Sequence, residues 1–168
     1  MIIRRFIFLF VIICLIGTTS CGKVTQHKSY GNTPFLVVSN AEAFPGDTID
    51  IKVSVFNNPG ILAMTLSLVY DENALTLLSV ENGKSLSSLE FTPPNEFNNG
   101  CIFLWDGVEI EKKDVHDGDI LSLKFKVHDS ISEGEYSIII NYDGDDIIDN
   151  DLNNIAFSIE NGSVTVKK

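Results

Sequence analysis

Basic residues are scarce in this chain. Of its 168 residues, 12 are Lys or Arg and 23 are Asp or Glu, for a formal net charge of −11 at pH 7. Both arginines, Arg4 and Arg5, lie near the N-terminus, and the chain beyond them has 10 basic and 23 acidic residues, a charge of −13. Nucleic-acid binding requires a basic surface that neutralises phosphates. The composition therefore excludes a nucleic-acid partner and favours partners that present Lys or Arg.

Cysteine is also scarce, and the histidines are scattered. The chain has three cysteines, Cys14, Cys21 and Cys101, of which only Cys101 lies in the body of the sequence. An intradomain disulfide is therefore excluded, and no cluster of cysteine or histidine indicates a metal site. We expect no metal and no cofactor, and we expect Cys101 to be a small core residue.

The apolar run near the N-terminus is too short to cross a membrane. Residues 6–17 are 12 uncharged residues, or roughly 18 Å as a helix at about 1.5 Å per residue. A membrane span needs roughly 20 residues. Because Arg4 and Arg5 precede this run and small residues follow it, the pattern predicts a secretory signal peptide over residues 1–20.

Cys21 comes directly after these small residues. The arrangement resembles a bacterial lipoprotein signal, with Thr18 in place of the usual leucine. The resemblance implies that Cys21 is lipidated and becomes the new N-terminus. The polar, turn-rich residues 21–33 would then form a tether, and the protein would lie on the outer bacterial cell surface. The alternative is ordinary cleavage near Ser20, which leaves a secreted protein with a spare thiol at Cys21.

Helical periodicity longer than about two turns is absent. From residue 34 onward, short runs of β-branched and aromatic residues alternate with clusters of Gly, Asn, Asp and Pro, a pattern typical of strands and turns. Residues 61–70 alternate with period two, which indicates a sheet with one buried face. We predict that residues 34–168 form an all-β domain, a two-sheet β-sandwich of about nine strands with jelly-roll topology. The predicted strands are 35–39, 48–56, 61–70, 75–80, 101–106, 119–128, 135–142 and 155–166.

Six segments of this body follow one another in a characteristic order and spacing. They are A-F-P-G-D-T at 43–48, N-P-G-I at 58–61, V-Y-D at 69–71, N-A-L at 73–75, D-G-D-I-L at 117–121 and G-S-V-T-V at 162–166. Over about residues 35–167 this order resembles a cohesin domain. Cohesins are the sandwich modules of cellulosome-type assemblies that bind dockerin domains. The resemblance implies a non-catalytic, monomeric anchoring module that captures a dockerin on an enzyme or scaffold subunit and so supports polysaccharide degradation.

The resemblance also implies where the partner binds. In cohesins the dockerin helices lie across one sheet face, on the third, fifth, sixth and eighth strands. The positions that match contact residues are Ala63 and Thr65 on the third strand, Leu104 and Asp106 on the sixth, and Leu152 and Asn154 near the eighth. Ala63 and Thr65 replace the commoner Asn and Asp pair, and Asn154 replaces a carboxylate, so a different partner preference is expected. Contacts on the fifth strand, about residues 89–94, are not assigned.

The physical argument for this site depends on two leucines. If Leu104 and Leu152 are exposed, they give the face an apolar centre within a polar rim, as protein interfaces require. The alternative is that both leucines belong to the core.

Other features of the sequence are weaker evidence for catalysis, metal binding or sugar binding. Asp106, Glu109 and Glu111 are close in sequence, but a glycosidase needs two carboxylates held across a cleft, so we expect no enzyme activity. The acidic run 143–151 lacks the spacing of an EF-hand calcium loop and predicts a solvated turn. Trp105 falls on the inward phase of its strand, which predicts a core position. The alternative functions are a carbohydrate-binding module of related jelly-roll fold and a structural or adhesion sandwich.

Overall fold

A computed structural model describes residues 31–168, which form twelve β-strands and one 3₁₀ helix, Lys112–Asp114. None of these residues belongs to a helix long and apolar enough to span a membrane. The strands are β1 (Phe35–Val38), β2 (Ala41–Ala43), β3 (Thr48–Phe56), β4 (Ile61–Tyr70), β5 (Leu75–Asn82), β6 (Glu90–Thr92), β7 (Ile102–Asp106), β8 (Gly118–Val127), β9 (Gly134–Asn141), β10 (Ile147–Asp149), β11 (Ser158–Glu160) and β12 (Gly162–Val166).

The strands form two sheets that enclose one core. The five-stranded sheet has the order β11-β1-β3-β8-β5, and the seven-stranded sheet has the order β2-β12-β9-β4-β7-β6. The short strand β10 pairs with β4 alongside the half of β4 that β9 does not cover. The predicted all-β sandwich is therefore confirmed. The central strand β4 carries β7 on one edge and β9 with β10 on the other.

Alternation along the strands determines what is buried. The even-numbered residues of β4, from Leu62 to Tyr70, are buried, whereas the odd-numbered residues from Ala63 to Val69 are half-buried. Burying an aliphatic side chain of this size stabilises the fold by about 1.5–3 kcal/mol. Cys101 is also buried, as predicted, and burial raises the pKa of its thiol.

Trp105 links the two sheets through the core. Its side chain is fully buried, and its indole N–H donates a hydrogen bond of 2.9 Å to Oδ1 of Asn82, at the end of β5 in the opposite sheet. Its ring also lies 5.0 Å from that of Phe91. The predicted inward position of Trp105 is confirmed. The buried N–H also has the partner that a buried indole requires.

Both ends of the domain cross between the sheets at one place. The chain passes from β1 to β2 and from β11 to β12 there, and Oδ1 of Asn40 accepts the backbone N–H of Ser163 at 2.8 Å. A Cβ atom at Gly162 would collide with the carbonyl oxygen of Ser39. Because glycine permits this close approach, the predicted single strand 155–166 is wrong and consists of two strands in different sheets.

Candidate functional site

The outward side chains of β6, β7, β4 and β10 form one surface, which we call the β7 face. Strand pairing determines which side chains are neighbours on this face. Thr92 and Thr65 lie opposite Leu104 on either side, and Ile148 lies opposite Ala63. The β7 face consists of Ala63, Thr65, Ser67, Glu90, Thr92, Ile102, Leu104, Asp106 and Ile148.

Leu104 lies at the centre of the β7 face. Its side chain is 40% exposed, whereas its neighbours Phe103 and Trp105 are fully buried. Asp106, the next outward residue of β7, is exposed. The alternative in which Leu104 belongs to the core is therefore wrong. A large aliphatic side chain is instead presented to solvent from a rigid, paired strand.

The positions beside Leu104 on β4 carry small side chains. Ala63 and Thr65 are both half-buried, and the backbone N–H of Thr65 donates to the carbonyl oxygen of Asp146 at 2.9 Å. Because these side chains are small, they project little from the sheet, and a partner can approach the backbone of β4 closely. The structure thus brings four of the six predicted contact residues onto one surface.

Leu152 lies in a tight turn after β10. Its side chain is 70% exposed, and its φ of +61° is in the left-handed region, which is costly for such a residue. The Asp149 carboxylate accepts the backbone N–H groups of Asp151 and Asn153, each at 2.9 Å. The N–H of Asn153 is the main cause of the lowered pKa of Asp149. Leu152 is therefore not a core residue, and a strained, exposed leucine suggests a function.

Asn154 continues the β7 face beyond β10. It forms a bridge with Ile148, which in turn lies opposite Ala63 on β4. Asn154 is exposed. It therefore extends the row of outward positions that begins at Ala63.

Sequence reasoning missed two parts of this surface. Ile102 is 55% exposed, more than Leu104, and shares its face because the two are two positions apart on the strand. That period was available from the sequence. Glu90 and Thr92 on β6 were not assigned because a three-residue strand carries too little pattern to give its register.

Two shallow depressions adjoin the β7 face. The larger, about 590 Å³, lies between β7 and the loop 93–100. Its lining is apolar along Pro93, Pro94, Ile102 and Leu104 and polar at Thr92, Asn95, Glu96 and Asn98. The smaller, about 240 Å³, lies between β7, β4 and the β9–β10 turn. The face is therefore nearly flat, with a mostly apolar groove along one side.

Charge is distributed unevenly over the seven-stranded sheet. Its strands contain neither Lys nor Arg. Glu90 and Asp106 are both exposed and lie directly opposite each other on β6 and β7. The acidic residues of these strands are Glu42, Glu90, Asp106, Glu135 and Asp149.

The remaining acidic residues do not gather into a site. Glu109 and Glu111 are exposed, and Glu111 pairs with Lys113 at 2.9 Å. The acidic run begins with a turn in which the Asp146 carboxylate accepts the backbone N–H of Asp143 at 2.6 Å. The solvated turn predicted for 143–151 is wrong over residues 147–149, because Ile147–Asp149 form β10 and Ile147 is fully buried. Over residues 31–168, no group of three His, Cys, Asp or Glu side chains is arranged to hold a metal ion.

The family model described as the cohesin domain matches residues 34–166. The chain belongs to the cohesin family. The predicted family is therefore confirmed. The cellulosomal-scaffolding protein A of Acetivibrio thermocellus is 28% identical to this cohesin over 142 residues, which are 78% of this chain and 8% of that protein. The chain thus spans under a tenth of the length of this relative.

Solved structures share the fold of this cohesin at low identity. A chain from a type I cohesin–dockerin complex of Clostridium thermocellum has a TM-score of 0.67 and 22% identity, covering 81% of this chain and 100% of that one. The seventh ScaB type I cohesin from Pseudobacteroides cellulosolvens has a TM-score of 0.66 and 23% identity, covering 80% and 92%. A non-cellulosomal cohesin from Archaeoglobus fulgidus has a TM-score of 0.67 and 20% identity, covering 81% and 92%.

Proposed function

We propose that this cohesin binds a dockerin domain of an enzyme or scaffold subunit through the β7 face, and that it catalyses no reaction. Membership of the cohesin family supports the partner class. One of the solved structures with this fold comes from a cohesin–dockerin complex, and the curated relative is a cellulosomal scaffolding protein. The binding residues are Ala63, Thr65, Leu104, Asp106, Leu152 and Asn154, joined by Ile102.

The exposed Leu104 carries this proposal. An isolated exposed leucine is ordinary, but Leu104 is flanked by Ile102 on its own strand and by Thr65 and Thr92 across the sheet. This gives an apolar centre with a polar surround, the pattern of a protein interface. Because the residues lie on paired strands, little conformational entropy is lost when a partner binds.

The test compares two exposed strand leucines on opposite sheets. Leu104 is 40% exposed on β7, and Leu78 is 45% exposed on β5. We expect Leu104→Asp to weaken dockerin binding by at least about a hundredfold, since a buried charge at an interface centre is costly. Leu78→Asp should stay within about twofold. Isothermal titration calorimetry against recombinant dockerins from the same organism measures both.

The outcome is decided by Leu104→Asp. If this variant binds within about threefold of the unmodified protein, a change of under 1 kcal/mol, the β7 face is not the site. If no dockerin binds but insoluble polysaccharide does, the carbohydrate-binding alternative is right. The fully buried Trp105, the single tryptophan, cannot serve as a sugar-stacking platform.

We further propose that the protein is exported and tethered to the outer cell surface through lipidated Cys21. The signal peptide (1–20), Cys21 and most of the tether (21–33) lie outside the described residues, so this proposal is supported by the sequence. Cys21→Ser should release the protein into the medium, which fractionation and immunoblotting would detect. Retention of the variant on cells would contradict a lipid anchor. The variant should still bind dockerin through Leu104, because Cys21 lies outside the β-sandwich domain.

A further inference from the structure

The first observation is an unneutralised pair of carboxylates at one corner of the β7 face. Glu90 and Asp106 lie directly opposite each other on adjacent strands, where facing side chains are about 5 Å apart and like charges destabilise the sheet. The four ion pairs within residues 31–168 all involve other residues. The Asp106 carboxylate accepts the backbone N–H of the adjacent Gly107 at 2.9 Å. No Lys or Arg among residues 31–168 therefore forms an ion pair at this corner.

The second observation is the apolar groove at the opposite end of β7. Ile102, 55% exposed, forms one wall, and the consecutive prolines Pro93 and Pro94 contribute to the lining. The backbone of prolines is stiff because the ring fixes φ.

The loop 93–100 that borders this groove is fastened to β4. Oδ1 of Asn99 accepts the backbone N–H of Tyr70 at 3.0 Å, and the N–H of Gly100 donates to the carbonyl oxygen of Leu68 at 2.7 Å. The hydroxyl of Tyr70 donates to the carbonyl oxygen of Phe97 at 3.3 Å. The groove is therefore formed before any partner arrives.

The distance between these two features sets the spacing of groups on a partner. From Ile102 to Asp106 the strand advances four residues, about 13 Å at roughly 3.3 Å per residue. On a helix laid along β7, two residues eight positions apart are separated by roughly 12 Å at about 1.5 Å per residue, which is close to this distance. Residues at i and i+7 or i+8 lie on one side of a helix.

We infer that the dockerin helix recognised by this cohesin inserts an aliphatic side chain into the groove beside Ile102 and places a Lys or Arg, about eight residues away, between Glu90 and Asp106. This inference rests on the proposed function and names the chemistry of its partner. The absence of Lys and Arg from the strands of the seven-stranded sheet makes the whole face complementary to such a cation. The acidic corner and the apolar groove together give the partner helix one direction along β7.

The experiment measures dockerin affinity by calorimetry for three forms of the full domain at low and high salt. The dockerin is whichever recombinant domain of the same organism binds the unmodified protein. The test variant is Glu90→Gln with Asp106→Asn. The control is Asp50→Asn with Glu81→Gln, which removes the same charge from the five-stranded sheet, where these two carboxylates line one depression.

We expect the test variant to bind about tenfold more weakly at 50 mM NaCl and within about twofold at 0.5 M, because salt screens exposed charges. The control should change by less than about twofold at either concentration, since its carboxylates lie on the other sheet. Ile102→Ser should weaken binding about fivefold at both concentrations, because the loss is of apolar contact. Replacing the basic residue of the dockerin by Glu should weaken binding, and Asp106→Lys should restore it.

Failure of the inference is distinguishable from failure of the proposed function. If Leu104→Asp abolishes binding but the test variant and its control behave alike, the acidic corner does not recognise a cation and the inference is overturned. If Ile102→Ser binds normally, the groove assignment is overturned. If no dockerin binds, or Leu104→Asp has no effect, the proposed function falls and the inference falls with it.

Discussion

The two sheets of this cohesin share one core but differ in their outer faces. On the five-stranded sheet, Lys52 forms an ion pair with Asp119, which also accepts the hydroxyl of Ser54 at 2.7 Å. Lys124 lies 3.9 Å from Asp50. On the seven-stranded sheet, the strands have no basic residue, and the corresponding surface is apolar at its centre and acidic at one corner.

The difference teaches that alternation alone does not identify a binding face. Both sheets bury every second residue, so both outer faces follow from the same strand pattern. What separates them is whether the outward side chains find partners within the domain. The central strands of the five-stranded sheet pair Lys52 with Asp119 and Lys124 with Asp50, whereas the β7 face presents Leu104, Ile102 and two facing carboxylates that nothing in the described chain neutralises or covers.

After Leu104 and the acidic corner, the largest effect that would sharpen this comparison is expected at Leu152. Its left-handed backbone costs an L-residue about 1–2 kcal/mol, and asparagine tolerates that conformation better. We expect Leu152→Asn to raise the free energy of unfolding by up to about 1 kcal/mol. The same change should weaken dockerin binding about fivefold, because an exposed aliphatic contact is lost. Urea denaturation and calorimetry measure the two quantities.

The control for Leu152→Asn is Leu78→Asn on the five-stranded sheet, which should leave dockerin affinity within about twofold. If Leu152→Asn binds normally, Leu152 is not a contact and the face ends at Asn154. If the variant is less stable than the unmodified domain, the strained turn held by Asp149 depends on leucine packing, and our account of its φ is wrong.

Much of the fold could be predicted from sequence because the long strands carry a strong period. The bounds of β3 and β4 agree with the predicted 48–56 and 61–70. Three-residue strands do not carry such a period, so β2 and β10 were missed, and β6 was placed only approximately, at about residues 89–94, without its register. The sheet crossing near Gly162 was also missed, because it depends on a close backbone approach to residues more than 120 positions away.

The candidate site could be predicted only in part. Leu104 and Asp106 followed from the resemblance and the strand phase, and Ile102 could have followed from the same phase. The opposition of Glu90 and Asp106 could not, since it depends on the register between two strands that an irregular loop separates. The left-handed backbone of Leu152 is likewise set by the turn that Asp149 holds, not by the local residue type.

The smallest effect, but the clearest in sign, is expected from neutralising one carboxylate on each sheet. The hydrogen bond from Lys52 is the main cause of the lowered pKa of Asp119. The ionised Asp119 carboxylate therefore stabilises the fold fully above its pKa in the unfolded chain, about 3.9 for an aspartate. This stabilisation is lost as the pH falls through the lower pKa of the folded state. We expect Asp119→Asn to lower the urea midpoint at pH 7, and the two proteins to converge as the pH falls below the lowered pKa of Asp119 in the folded state.

Asp106→Asn should do the opposite at pH 7. Removing one of two facing like charges relieves repulsion, so its urea midpoint should equal or slightly exceed that of the unmodified domain, while its dockerin affinity falls. Asp119→Asn should leave dockerin affinity unchanged. If both substitutions destabilise the fold alike, the carboxylates of the two sheets serve the same purpose and the contrast between the faces is wrong. If the two substitutions change the urea midpoint in opposite directions, the acidic residue of the five-stranded sheet stabilises the domain, whereas that of the seven-stranded sheet contributes to partner binding.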